Sequence, residues 1–213
     1  MRRVPSSFCR PAAWLAAGLV VAAAAASAAP ATPGFPVTVS NCGEPLRFDA
    51  PPRRLVVHDL NMAEMVMALG LQPKLVGVTG ITGWYKASAD FWKALGPVPE
   101  LAPKYPTLEN LLAARPDLFF AGWYYGMQPG GGVTPATLAR HGVATLVLTE
   151  SCVHTRADKP EATLDLLYGD MLRLGAVFGR REQAEQLVAG WRERVRAAAQ
   201  PALPRPPRVF VYD

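Results

Sequence analysis

The sequence predicts an α/β fold, an open parallel-sheet lobe with flanking helices, entered through an N-terminal hairpin. Three observations carry that reading. Short apolar runs of strand length recur at Leu55-Val56-Val57, Leu75-Val76-Gly77-Val78, Leu118-Phe119-Phe120-Ala121 and Ala144-Thr145-Leu146-Val147-Leu148. Segments with apolar residues at helical spacing, ended by Gly or Pro, lie between most of them. One stretch, Thr107 to Met127, carries the whole repeat: helix, breaker, strand and aromatic loop.

In that stretch Thr107 is placed to cap, and Glu109 sets a carboxylate in the first turn, where the helix dipole favours it. Leu108, Leu111 and Leu112 form an apolar stripe. Pro116 ends the helix, because it has no N–H to donate and restricts Arg115 before it. Asp117 to Gly122 is mostly apolar, the pattern of a strand covered on both faces. Trp123, Tyr124 and Tyr125 then fall at the strand's carboxyl end, where open α/β sheets hold ligands. Packing at the edge of the core accounts for three aromatics equally well.

The other elements follow in order. Ala29 to Phe35 is rich in Pro and Ala and reads as loose chain. Val37-Thr38-Val39 and Leu46-Arg47-Phe48 flank a polar turn and read as a hairpin, closed by Pro51-Pro52. His58, Asp59 and Asn61 follow the first buried strand. Asn61 is expected to cap a helix from Met62 to Leu69, stopped by Gly70. A Gly/Thr loop after the second strand leads to Trp84, Tyr85 and Lys86, and a polar-aromatic segment runs on to Leu95. Gly96-Pro97-Val98 is expected as an edge strand. Gly130-Gly131-Gly132 is a break, and Pro135 to His141 is expected to be helical up to Gly142. Glu150, Ser151, Cys152, His154 and Arg156 occupy the exit loop of the fourth strand. Leu164, Leu167, Tyr168, Met171, Leu174 and Phe178 mark one amphipathic helix; Ala184, Leu187, Val188, Trp191 and Val195 mark another. Leu203 to Pro207 reads as a linker and Arg208 to Asp213 as a fresh strand. That strand either opens a second lobe or adds to the sheet already present.

Half of the 213 residues are apolar, enough for one moderate domain or a little more. Met1 to Arg10 is positive, Pro11 to Ala26 is apolar and uncharged, and Ala26-Ser27-Ala28 fits an A-x-A cleavage site. Residues 1–28 are therefore expected to be a secretory signal cleaved near Ala28, the alternative being a retained anchor on a run short for a membrane span. Without Arg2, Arg3 and Arg10 the basic residues fall from 22 to 19 against 17 acids, so the formal charge falls from +5 to +2. No basic block remains, and nothing points to nucleic acid. Removing Cys9 with the signal leaves Cys42 and Cys152. An even count in an exported chain favours a disulfide over two thiols or, with no CxxC pair, a thiolate metal site. A P-loop, GxGxxG, HExxH and nucleophile elbow are all missing from the sequence, which weighs against an enzyme.

The segments VTVSNCGEPLRF, PPRRLVVHDLNMAEMVMALGL, KLVGVTG, LGPVPEL, PTLENLLAARPDLFFAG, HGVATLVL, LGAVFGRREQAEQLVAGW and PRVFVYD stand in a telling order. Together they resemble the periplasmic substrate-binding proteins of ABC importers that carry iron–siderophore complexes, haem or cobalamin. PTLENLLAARPDLFFAG is the most specific of them. The resemblance implies two α/β lobes joined by one long helix, with the ligand in the cleft between. It assigns 29–54 to an N-terminal segment and hairpin, 55–180 to the N-terminal ligand-binding lobe and 181–200 to the interlobe helix. It assigns 201–213 to a linker and the start of a second lobe that is otherwise missing. It implies a periplasmic, non-enzymatic protein without a resident cofactor. Its partners would be a ferric siderophore or related large metal chelate, and an ABC permease with its ATPase. CGEP and ESC resemble a subgroup in which Cys42 and Cys152 pair. Glu109 matches the first-lobe acidic residue that docks on arginines of the permease.

In such a lobe the strand exits converge, which makes His58, Trp84, Tyr85, Trp123, Tyr124, Tyr125 and Arg156 the candidate ligand contacts. Aromatic rings offer broad contact to a large rigid chelate, and Arg offers charge to its anionic groups. Two alternatives accompany this reading: haem or cobalamin in the same cleft, and a divalent metal held by His58, His141, His154 and Glu150. For any one of these aromatics, cover for the lobe edge remains the plain alternative.

Overall fold

The computed structural model describes residues 32–156 and 161–198, together with Arg208 and Phe210. The expected signal segment lies outside the described residues, as does nearly all of the expected linker and final strand at 201–213.

The hairpin consists of β1 (Val37–Asn41) and β2 (Glu44–Phe48), antiparallel, with Asn41 opposite Glu44. Its turn is only Cys42-Gly43. Both residues have positive φ, 52° and 91°, the geometry that matches the twist of a two-residue hairpin. The main sheet is parallel and contains β3 (Leu55–His58), β4 (Leu75–Thr79), β5 (Glu100–Ala102), β6 (Leu118–Trp123) and β8 (Ala144–Val147) in the order β5-β4-β3-β6-β8. The two-residue β7 (Gly126–Met127) pairs with the carboxyl end of β6. The first strand of the sheet, β3, lies in the middle. Later strands add on one side as β4 and β5 and on the other as β6 and β8, so the strand order reverses between β3 and β6.

Strand side chains alternate between two cores, as a sheet covered on both faces requires. Leu55, Val57, Leu118 and Phe120 enter one core; Val56, Phe119 and Ala121 enter the other. The first core is completed by α1 (Leu60–Ala68), α2 (Ala89–Leu95), α5 (Leu164–Val177) and α6 (Arg181–Ala198). The second is closed by Leu111 of α3 (Leu108–Ala113) and Leu138 of α4 (Pro135–Ala139). No helix among the described residues is long and apolar enough to cross a membrane.

Polar groups tie the parts together. Asn41 donates to the carbonyl of Thr145 at 3.0 Å and accepts from the amide of Val147 at 2.8 Å, so one side chain satisfies the open edge of β8. Asp170 is buried on α5; it accepts from the amide of Thr149 at 2.9 Å, from the Thr149 hydroxyl and from Arg173. Arg173 donates onward to the carbonyls of Ser40 and Val147, both at 2.8 Å. The Sγ atoms of Cys42 and Cys152 stand at bonding distance, 2.02 Å, and link the hairpin turn to a 3₁₀ helix, Thr149–His154.

Three local expectations are corrected. Asp59, not Asn61, is the N-cap of α1, and its carboxylate accepts from Leu60 N at 2.6 Å. The edge strand is Glu100–Ala102, not Gly96–Val98; Pro97 and Pro99 have no N–H for a ladder, and pairing starts after them. The polar-aromatic segment before Leu95 contains a helix, α2, capped by Ser88 through Phe91 N at 3.1 Å. Thr107 caps α3 as expected, and its capping-box partner is Asn110.

Candidate ligand-binding face

The carboxyl ends of β3, β4, β5 and β6 bring four loops together at the point where strand order reverses, the position of ligand sites in open parallel sheets. His58 ends β3 and is 1% exposed. Its Nδ1 lies 2.8 Å from Thr79 Oγ1, and its ring stacks on Tyr105 at 5.6 Å. Two glycines close over the imidazole. A Cβ at Gly80 would stand 2.4 Å from His58 Cε1, and one at Gly126 would stand 2.7 Å from its Cγ. Burial lowers the His58 pKa to about 4, so the ring is neutral. His58 is thus a foundation under the face, with its ring turned away from solvent.

Tyr105 is the hub above it. Its ring meets Trp84 edge-on at 6.1 Å, and its hydroxyl donates to the carbonyl of Tyr124 at 2.7 Å. Lys104 Nζ sits 4.5 Å over the Trp84 ring, a cation–π contact. Tyr124 meets His154 edge-on at 4.6 Å. Trp84 and Tyr124 are both 50% exposed. Tyr85 is exposed too, and its hydroxyl hydrogen-bonds the Asp59 carboxylate. Burial raises the Asp59 pKa; the bonds from Tyr85 and from the Leu60 and Asn61 amides oppose that rise. Trp123 and Tyr125 are half-buried, Trp123 against the second core and Tyr125 against the first.

The structure therefore brings Trp84 and Tyr124 together through Tyr105 and sets His58 beneath them. Arg156 lies elsewhere, with its guanidinium against Gly43 and beside a depression of about 380 Å³ that Cys42, Cys152 and Arg173 also line. Glu109 is exposed in the first turn of α3. Bonds from its own amide and from Thr107 lower its pKa. A depression of about 440 Å³ separates it from the hub and is lined by Tyr105, Thr107, Glu109, Gly126 and Gln128. Burial, then Asp170 and Asp59, raise the pKa of Glu150. Among the described residues, no three His, Cys, Asp or Glu side chains form a group able to hold a metal ion. Lys104 and Tyr105 escaped the sequence reading. The misplaced β5 hid them, since they are its exit loop.

A family model described as periplasmic binding protein matches residues 55–212. The chain belongs to the periplasmic binding protein family. The family is one of binding proteins rather than enzymes, and its name implies a location outside the cytoplasm. Among solved structures it is similar to an ABC-type Fe3+-hydroxamate transport system from Saccharomonospora viridis, at 29% identity and a TM-score of 0.61, over 76% of this chain and 55% of that one. It is similar to a periplasmic haem-binding protein from Pseudomonas aeruginosa, at 25% identity and a TM-score of 0.50, over 68% and 45%. A periplasmic binding protein from Veillonella parvula shares the fold at 22% identity and a TM-score of 0.61, over 76% and 52%. The chain thus spans about half the length of the solved structures it matches. No curated protein matches it.

Proposed function

We propose that the chain is the substrate-binding component of an ABC importer, capturing an iron–siderophore complex in the periplasm and delivering it to the membrane permease. The observation that carries this reading is the connected, half-exposed aromatic face at the reversal of strand order, Trp84–Tyr105–Tyr124, with the Lys104 ammonium on one ring. Flat rings suit a broad rigid chelate, and a cation beside them suits hydroxamate, catecholate or carboxylate oxygens. On this reading residues 55–180 are the N-terminal lobe, α6 joins it to a second lobe begun within 201–213, and residues 1–28 are a signal cleaved near Ala28. Cys42 and Cys152 form a disulfide in the exported protein, which mass spectrometry of alkylated samples should find without free thiols. Glu109 docks on the permease. In an importer assembled with a chain of the full length of its matches, Glu109→Arg should leave ligand affinity unchanged and lower uptake; equal uptake would remove the docking role.

Titration with ferrioxamine B, ferric enterobactin and ferric citrate, read by tryptophan fluorescence, tests the ligand class. Quenching that Trp84→Ala weakens supports the reading, and no response to any of the three, with both lobes supplied, would reject it. Haem is the second reading, favoured by Tyr124 and His154, two exposed side chains in contact that both ligate haem iron in proteins. A haemin titration separates the two, since only haem ligation gives a Soret shift that Tyr124→Phe alters.

A further inference from the structure

Ser151 is 1% exposed, and its hydroxyl both donates and accepts a hydrogen bond. Oγ donates to the carbonyl of Leu148 at 2.7 Å and accepts from the amide of Trp123 at 3.0 Å. The same oxygen lies 2.9 Å from the place a Cβ would take at position 122, which leaves room there only for Gly122. Tyr124, one residue beyond the pinned amide, has φ 64°, the left-handed region that bulky side chains avoid. Such a conformation persists only where surrounding structure over-determines it, and such residues cluster at ligand clamps. Here the surroundings are visible. Within the bend, Gly122 N donates to Tyr125 O and Tyr124 N to Met127 O, both at 2.7 Å. From outside, the Tyr105 hydroxyl holds the Tyr124 carbonyl at 2.7 Å.

We infer that Ser151 and Tyr105 are positioning residues that jointly hold the left-handed bend between β6 and β7, fixing the Trp123–Tyr124 surface before any ligand arrives. Ser151 reaches the bend from the exit of β8 and Tyr105 from the exit of β5, so two loops from opposite sides of the sheet converge on one strained residue. The consequence for binding rests on the reading of this face as the ligand site, but the positioning itself does not. With the bend held, Tyr124 stays half exposed and Trp123 stays packed on the core. Without it, Tyr124 relaxes toward ordinary φ and its ring leaves its place against His154.

Hydrogen–deuterium exchange at single-amide resolution on the full chain tests this in Ser151→Ala, Tyr105→Phe and the double variant. Ser151→Ala should raise exchange at the Trp123 amide by about tenfold beyond any change in the slowest core amides. Tyr105→Phe keeps its ring and should raise exchange at Tyr124 and Gly122. If Ser151→Ala does not fold, Tyr105→Phe carries the test, since Tyr105 is 38% exposed and loses only one hydroxyl. Tyr124→Gly gives a second check: glycine accepts the φ without strain, so in that background Tyr105→Phe should no longer loosen Gly122. Exchange over 122–127 that follows the global change in every variant would overturn the inference. The ligand arm uses ferrioxamine B, whose affinity should fall several-fold in Tyr105→Phe. Absence of binding by every variant and the wild type would count against the ligand reading alone, leaving the exchange result to decide positioning.

Discussion

His58 links the core to a measurable pH dependence. Its folded pKa of about 4 lies below the ordinary value of 6.5, because burial disfavours the imidazolium. Between those values the unfolded chain binds a proton that the folded chain does not, so stability rises with pH. The contribution is fully present above pH 6.5 and is lost as pH falls toward 4. Integrating the two titrations gives a loss of about 2.4 kcal/mol between pH 7 and pH 4.5, with a steepest slope of about 1.2 kcal/mol per pH unit. Asp59 and Glu150 act in the opposite sense. Their raised pKa values mean that the folded chain holds protons the unfolded chain has released, so acidification through their range favours folding. The informative variant is therefore His58→Gln, which deletes one titration and keeps the carboxylates. Gln also places a polar group near Thr79 Oγ1, the present partner of Nδ1. Any packing loss in the variant is constant with pH, so the comparison uses slope and not absolute stability. Urea unfolding at half-unit steps from pH 7 to pH 4.5 should show the wild type losing about 2 kcal/mol more than His58→Gln. Parallel curves for the two proteins would refute the neutral, buried assignment of His58.

Other substitutions separate the remaining polar features. Asp170→Ala strips the buried partner of Arg173 and leaves that cation among carbonyls and the Thr149 hydroxyl, which should cost about 3–5 kcal/mol in urea unfolding. Thr107→Ala removes the capping box of α3 and should cost about 1 kcal/mol, read as a lowered Tm, with no change in the tryptophan spectrum. Among the described residues the buried hydroxyl of Thr145 has no hydrogen-bond partner, and Thr145→Val should stabilise by about 1 kcal/mol in the same assay.

What the sequence made legible follows from where the determining contacts lie. Leu118 to Ala121 could be read as a doubly covered strand because four apolar residues in a row have no solvent face, and they do divide between the two cores. Thr107 could be read as a cap because its partner Asn110 is three residues away. Glu100–Ala102 could not be read as a strand: it is short and begins with a carboxylate. That carboxylate instead accepts from the Ile81 and Thr82 amides at 2.8 and 2.9 Å and closes the β4 exit loop. With β5 misplaced, its exit loop was lost, and Tyr105 with it.

His58 shows the same limit from the other side. Its place at a strand exit was legible, but the direction of its ring was not. Gly80 and Gly126 each lie where a Cβ would strike the imidazole, and both have positive φ, 75° and 92°. Neither glycine is near His58 in sequence, and only the convergence of the β4 and β6 exits turns them into a lid. The carboxyl-end rule thus selects loops, not side chains. Which side chains face outward is decided by the smallest residues of the neighbouring loops. Alanine at Gly126 would test that step, since it must displace His58, and with it the ring stacked on Tyr105.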